Sequence, residues 1–272
     1  MDQQQAIETI TSALKEKPAI RALFLGGSHG TGFADRFSDI DFVLAAPEGA
    51  TDEIVALWRE AVEQTGEIVL WWDRNVRPLL INAITADWLR IDLVMLKPDQ
   101  MGGQRQDGLK VLFDHDGLYP TLPEVTPPPV PDPKQMRYQI EEFIRILGLL
   151  PLAVGRQEYL NGVLGVFHLR NKLVDLMIAE TGIRHRGGLL HLNRLITEEQ
   201  KQALTALPAP EATQDRMVAA HLAYAAAYLP RARRLARIWG VDWPERFEEV
   251  TWAKLAETLK IDRPYDGPDD AD

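Results

Sequence analysis

Apolar positions along this chain fall into two registers, one in each half. Near the N-terminus Ile7, Ile10 and Leu14 recur at helical spacing, which predicts an amphipathic helix over residues 1–16, ended by Pro18. Short apolar runs then predict strands near 20–25, 39–45, 67–72, 77–85, 88–96 and, shorter, 110–114. A helix near 52–65 interrupts them, with Thr51-Asp52-Glu53 as its start signal and Gly66 as its stop. Adjacent strands with few helices predict an α+β fold, a mixed β-sheet with flanking helices. From Lys134 on the strand signals vanish. Alanine- and leucine-rich segments predict helices over 134–152, 156–181, 197–206, 214–239 and 251–260, an all-α helical bundle. Between the halves, seven prolines stand from Pro120 to Pro133, a density that favours extended chain. The expected organisation is a sheet domain over 1–117, a proline-rich linker or strap over 118–133, a helical bundle over 134–262 and a disordered acidic tail over 263–272.

Candidate chemistry lies in the first half. Gly26-Gly27-Ser28 follows the apolar run Ala22-Leu23-Phe24-Leu25, and Ser38-Asp39-Ile40-Asp41 follows ten residues after Ser28. Strand alternation puts Asp39 and Asp41 on one face, with Ile40 and Phe42 on the other. Parallel carboxylates repel unless a positive charge sits between them, and magnesium bound through carboxylates and substrate phosphates meets that need. A third acid, Asp92, stands in the apolar run 88–96, where burial calls for a positive partner. With its strand beside that of Asp39 and Asp41, three acids converge, enough to hold two magnesium ions for phosphoryl or nucleotidyl transfer.

Gly27-Ser28, the spacer, Asp39-Ile40-Asp41 and the later Asp92 together resemble the nucleotidyltransferase superfamily that includes DNA polymerase beta. The likeness is nearer to the lincosamide and aminoglycoside antibiotic nucleotidyltransferases, and its motifs cover residues 20–96. The resemblance implies a magnesium-dependent enzyme that moves a nucleoside monophosphate, AMP from ATP, onto a hydroxyl of a small molecule, a lincosamide or an aminoglycoside. It implies that Gly27 and Ser28 hold the triphosphate, and that Asp39 and Asp41 bind nucleotide and metal. Asp92 then binds a second metal or takes the hydroxyl proton, with Glu67 or Asp73 as alternative bases. Lys172, with His168 and Arg170 on the helix 156–181, is a candidate cation for the triphosphate; a solvated face is the alternative.

The net charge of −10 argues against a dedicated polynucleotide binder, and suits a small cationic substrate. The absence of cysteine excludes disulfides and thiolate metal sites. No signal peptide and no membrane-spanning run stand out, so a cytoplasmic monomer or homodimer without membrane partners is expected. Several residues admit two readings. His29 is a phosphate ligand or a solvated loop residue. One of Trp71 and Trp72 stacks on substrate, or both pack in the core. His115 and His221 read as surface or bundle residues, without a partner at ligand spacing. Arg184-His185-Arg186-Gly187-Gly188 closes over phosphates or links two helices, and Arg186 with His191 loosely matches a ribonuclease pattern that Gly187-Gly188 disfavours. Two rival functions remain: a nucleotidyltransferase acting on a protein or RNA end, and a non-catalytic nucleotide-binding module.

Overall fold

The computed structural model describes residues 1–74 and 78–265. The chain divides into two compact units, Met1–Pro127 and Pro128–Asp272.

The first unit carries helices α1 (Gln3–Leu14), α2 (Gly27–Gly30) and α3 (Thr51–Glu63). Its strands are β1 (Ala22–Leu25), β2 (Ile40–Ala45), β3 (Ile68–Arg74), β4 (Leu79–Thr85), β5 (Arg90–Leu96) and β6 (Lys110–Asp114). They form a mixed six-stranded sheet in the order β3-β4-β5-β2-β1-β6. The β2–β5 pair is parallel and every other pair antiparallel. Asp2 caps α1 in a reciprocal capping box with Gln5, and the apolar stripe Ile7, Ile10, Leu14 is buried. α3 buries Ile54, Trp58 and Val62, and the Trp58 ring meets Phe42 edge-on at 5.1 Å between centroids. These residues join Leu23, Leu25, Ile40, Phe42, Ile81, Ile91 and Leu93 in one core on one face of the sheet. On the other face a smaller core forms around Phe24, Val43 and Leu96, covered by Met101, Leu109 and Leu122. No core cluster of the described residues takes up Leu70, Trp72, Asn82 or Ile84, which leaves that face open over β3 and β4.

The proline-rich segment is tied to this first unit along its first part. Gln106 N–H donates to Pro123 O and Asp107 N–H to Glu124 O, while Asp107 accepts from the Thr126 N–H and hydroxyl. β3 extends two residues beyond its expected end, because Asp73 and Arg74 pair with Ile81 and Leu80 of β4. The expected start of the fourth strand at residue 77 lies outside the described residues.

The second unit is helical: α4 (Pro133–Gly148), α5 (Leu150–Gly155), α6 (Tyr159–Thr181), α7 (Leu192–Leu195), α8 (Glu198–Ala206), α9 (Gln214–Trp239) and α10 (Glu245–Leu259). One core joins α4, α6, α9 and α10, with Phe143 and Tyr228 stacked at 4.0 Å. α6 and α9 approach closely at Gly162, where an added Cβ would fall 1.8 Å from the Met217 sulfur. The expected helix 134–152 is two helices, because Pro151 has no N–H to continue the ladder and is tolerated only in a first turn. The last helix begins at Glu245 rather than 251. Its first turns look polar because Glu248 is buried through hydrogen bonds rather than through apolar packing. Tyr265, within the segment read as a tail, is docked: its hydroxyl donates to Glu248 and accepts from Trp252 Nε1. Residues 266–272 lie outside the described residues. Among the described residues no helix is long and apolar enough to cross a membrane.

Candidate active site

The loop after β1 turns back at once. Gly26 N–H donates to Asp41 O at 2.8 Å, and Gly27 takes a φ of +51° to begin the single turn of α2. Glycine is required at 27 twice over, once by that φ and once by space. A Cβ there would fall 1.9 Å from Asp41 Oδ2. At Gly30 a Cβ would fall 2.2 Å from the Gly108 carbonyl oxygen. The turn of α2 thus sits directly on the Asp41 carboxylate. Its Ser28 Oγ and His29 Nε2 are enclosed and have no hydrogen-bond partner among the described residues. Lys110, opposite Leu25 in the β1–β6 ladder, lies close enough to lower the proton affinity of His29, which burial lowers more.

Strand pairing assembles the acids. In the parallel β2–β5 ladder Asp41 stands opposite Asp92, Asn82 of β4 stands opposite Asp92 in turn, and Trp72 of β3 opposite Asn82. Directly paired residues share a face, so Asp41, Asp92, Asn82 and Trp72 form one row across four strands. Asp39 lies at the head of β2. Carboxylate oxygens of Asp39, Asp41 and Asp92 all come within 4.8 Å of one another, and all three side chains are half-buried. Such a set of hard oxygen donors fits a divalent cation of the magnesium type.

The electrostatics agree with that fit. Burial, then the charges of Asp39 and Asp92, push the Asp41 carboxyl up to about 6, against a smaller opposing effect of Arg90. Burial also raises Asp92, while the hydrogen bond with Asn82 and the charges of Arg90 and Arg74 hold it down. Arg90 is the nearest compensating cation, 3.5 Å from Asp39 and anchored on the Phe37 carbonyl. The positive partner expected for Asp92 is therefore shared: an amide bonds it directly, and the guanidinium pairs with Asp39. Ser38 is structural, since it closes the Asp35–Ser38 turn and is buried.

Gly27, Ser28, Asp39, Asp41 and Asp92 thus come together, as the sequence pattern anticipated. Sequence reasoning missed Arg90, Asn82 and Lys110. Arg90 carried a usable signal, because it stands two residues before Asp92 and so shares its strand face. Asn82 and Lys110 are found only through strand pairing. Trp71 packs against the core with Arg59 over its ring, whereas Trp72 is exposed on the open face with Arg74 beside it. Glu67 and Asp73 are not in the acid cluster. Lys172 belongs to the helical unit, where its ammonium lies 5.8 Å from the centre of the Tyr138 ring. Arg186 pairs with Asp175 from a loop, so Arg186 and His191 do not share a helix.

A glycine-serine turn seated on strand carboxylates that converge in register belongs to a nucleotidyltransferase, and the comparisons with known proteins agree. The family model for streptomycin adenylyltransferase matches residues 1–252, and the chain belongs to that family. No curated protein matches it by sequence. Among solved structures it is similar to an aminoglycoside 6-adenyltransferase from Bacillus subtilis, at 14% identity and a TM-score of 0.43, over 92% of this chain and 95% of that one. It is also similar to a nucleotidyltransferase-like protein from Exiguobacterium sibiricum 255-15, at 14% identity and 0.34, over 94% and 88%. A third likeness is to an apo CCA-adding enzyme, at 12% identity and 0.34, over 93% and 69%.

Proposed function

We propose that the protein transfers AMP from ATP to a hydroxyl of an aminoglycoside of the streptomycin type. The observation that carries this reading is the acid cluster directly beneath the Gly27–Ser28 turn, in a chain of an adenylyltransferase family. In this reading the enclosed Ser28 hydroxyl and the backbone N–H groups of the turn take phosphate oxygens, and Lys110 adds positive charge beside them. Asp39 and Asp41 would hold magnesium, which when bound offsets the charge of the triphosphate and of the departing pyrophosphate. The acceptor oxygen forms a bond to the α-phosphorus, and the bond to the bridging oxygen breaks. Pyrophosphate leaves with that electron pair. The hydroxyl proton passes to Asp92, whose raised proton affinity suits a general base and whose carboxylate Asn82 orients.

The test is pyrophosphate release from ATP and magnesium across streptomycin, other aminoglycosides and lincosamides. Acceptor-dependent release that Asp41→Asn lacks supports the reading, and product mass identifies the nucleotide transferred. No release with any of these acceptors, from folded protein that binds ATP, overturns it in favour of a protein or RNA acceptor or of a binding module.

A further inference from the structure

The helical unit holds a cavity of about 470 Å³ between α4, α5, α6 and α9, open at its rim. That volume is in the range of small-molecule sites. Part of its wall is apolar, with Ile146, Leu150 and Leu164 among the lining residues. Asn161, His168 and His221 add polar groups to the lining. His221 of α9 is 2% exposed, and its Nδ1 lies 2.9 Å from the Met217 carbonyl oxygen. A carbonyl only accepts, so Nδ1 carries the proton and donates, which leaves Nε2 a bare acceptor in the neutral ring. Burial favours that neutral form. No hydrogen bond reaches Nε2 from the described residues. The atom is uncovered on the cavity side because residue 165 is glycine: a Cβ there would stand 3.2 Å from Nε2. At the rim Glu142 and Arg145 bond each other at 2.6 and 2.8 Å, and Arg156 and Glu158 add one charge of each sign. The rim therefore selects no net charge.

We propose that this cavity binds a neutral amphipathic small molecule, with a hydroxyl that donates to His221 Nε2 and an apolar body against Ile146, Leu150 and Leu164. The site stands on these residues alone and does not depend on the adenylyl-transfer reading. A buried acceptor left without a donor is costly, so the ligand is discriminated by its hydroxyl. The probes are 2-naphthol and its methyl ether, 2-methoxynaphthalene, titrated into the full chain by fluorescence. Their apolar bodies match and only the first donates. The expected result is one saturable site that prefers the naphthol by about tenfold. In Gly165→Ala, which covers Nε2 and strengthens the helix, the preference disappears. In His221→Phe, which removes the acceptor, it disappears as well. Thermal melts of both variants establish that they are folded. Equal binding of the two probes to the unmodified protein, a preference that survives in folded Gly165→Ala, or no saturable binding would overturn the proposal.

Discussion

The chain buries carboxylates in two places and treats them in opposite ways. In the helical unit Glu248, 3% exposed, is fully answered: Arg233 pairs with one oxygen at 2.5 Å, Trp243 Nε1 donates to the same oxygen, and the Tyr265 hydroxyl donates to the other. In the sheet unit Asp39, Asp41 and Asp92 crowd together with Arg90 beside them and Arg74 acting on Asp92 from further away, so the cluster keeps an excess of negative charge. The first arrangement completes itself and holds α9, α10 and the end of the described chain together. The second leaves its carboxylates without a full set of partners among the described residues and could hold a cation. Saturated hydrogen bonding marks a carboxylate as structural, and unrelieved repulsion on an open face marks a set as functional.

The sharpest way to break this comparison is to remove the acid on each side. Glu248→Ala leaves the Trp243 and Tyr265 donors unpaired and should destabilise the protein by about 3 kcal/mol, read by denaturant unfolding. Asp41→Asn should lower turnover by at least ~10²–10³-fold, the loss typical of one electrostatic stabiliser, while raising the melting temperature of the metal-free protein at neutral pH. A melting temperature that falls in Asp41→Asn would place Asp41 with Glu248 as a structural acid.

The raised proton affinity of Asp41 makes the sheet site sensitive to pH. The folded Asp41 carboxyl sits at about 6, above the unfolded value of 3.8, so between those limits the folded state holds the proton more tightly. Its contribution to stability is therefore lost as pH rises from about 4 to about 6, and saturating magnesium should restore it by favouring the charged form. Melts of the unmodified protein and of Asp41→Asn at pH 4.5 and 7.5, with and without magnesium, check this. Arg90→Met should move the Asp41 titration further upward, followed by carboxyl-carbon NMR. The smallest effect is expected at Trp72, exposed at the end of the row that runs from Asp41 through Asp92 and Asn82. Trp72→Ala should raise a substrate KM severalfold with kcat nearly unchanged, as lost stacking would do.

Much of this arrangement was legible in the sequence, because two-residue alternation puts Asp39 and Asp41 on one face without knowledge of any partner strand. Asp92 stood out as an acid in an apolar run. Asn82 was not legible in the same way. Its role depends on β4 and β5 lying side by side, and no local pattern encodes that order. Gly165 and His221 form the same kind of blind spot, a meeting of two helices that neither segment announces. The start of α10 was hidden because Glu248 is buried by pairing and breaks the apolar rhythm on which helix reading relies.

The parallel β2–β5 pair has a kinetic consequence. β3 and β4 are neighbours in the chain and make a local hairpin, whereas Asp41 and Asp92 meet only after the whole intervening segment has been laid down and β5 has slotted between β4 and β2. Contacts so distant in sequence are slow to form, because the chain entropy of closing the loop is lost before the pairing rewards it. On refolding, the hairpin that carries Trp71 and Trp72 should become ordered ahead of the acid cluster. Tryptophan fluorescence would then recover before the capacity to bind magnesium, with a partly folded species between them whose sheet lacks its central join.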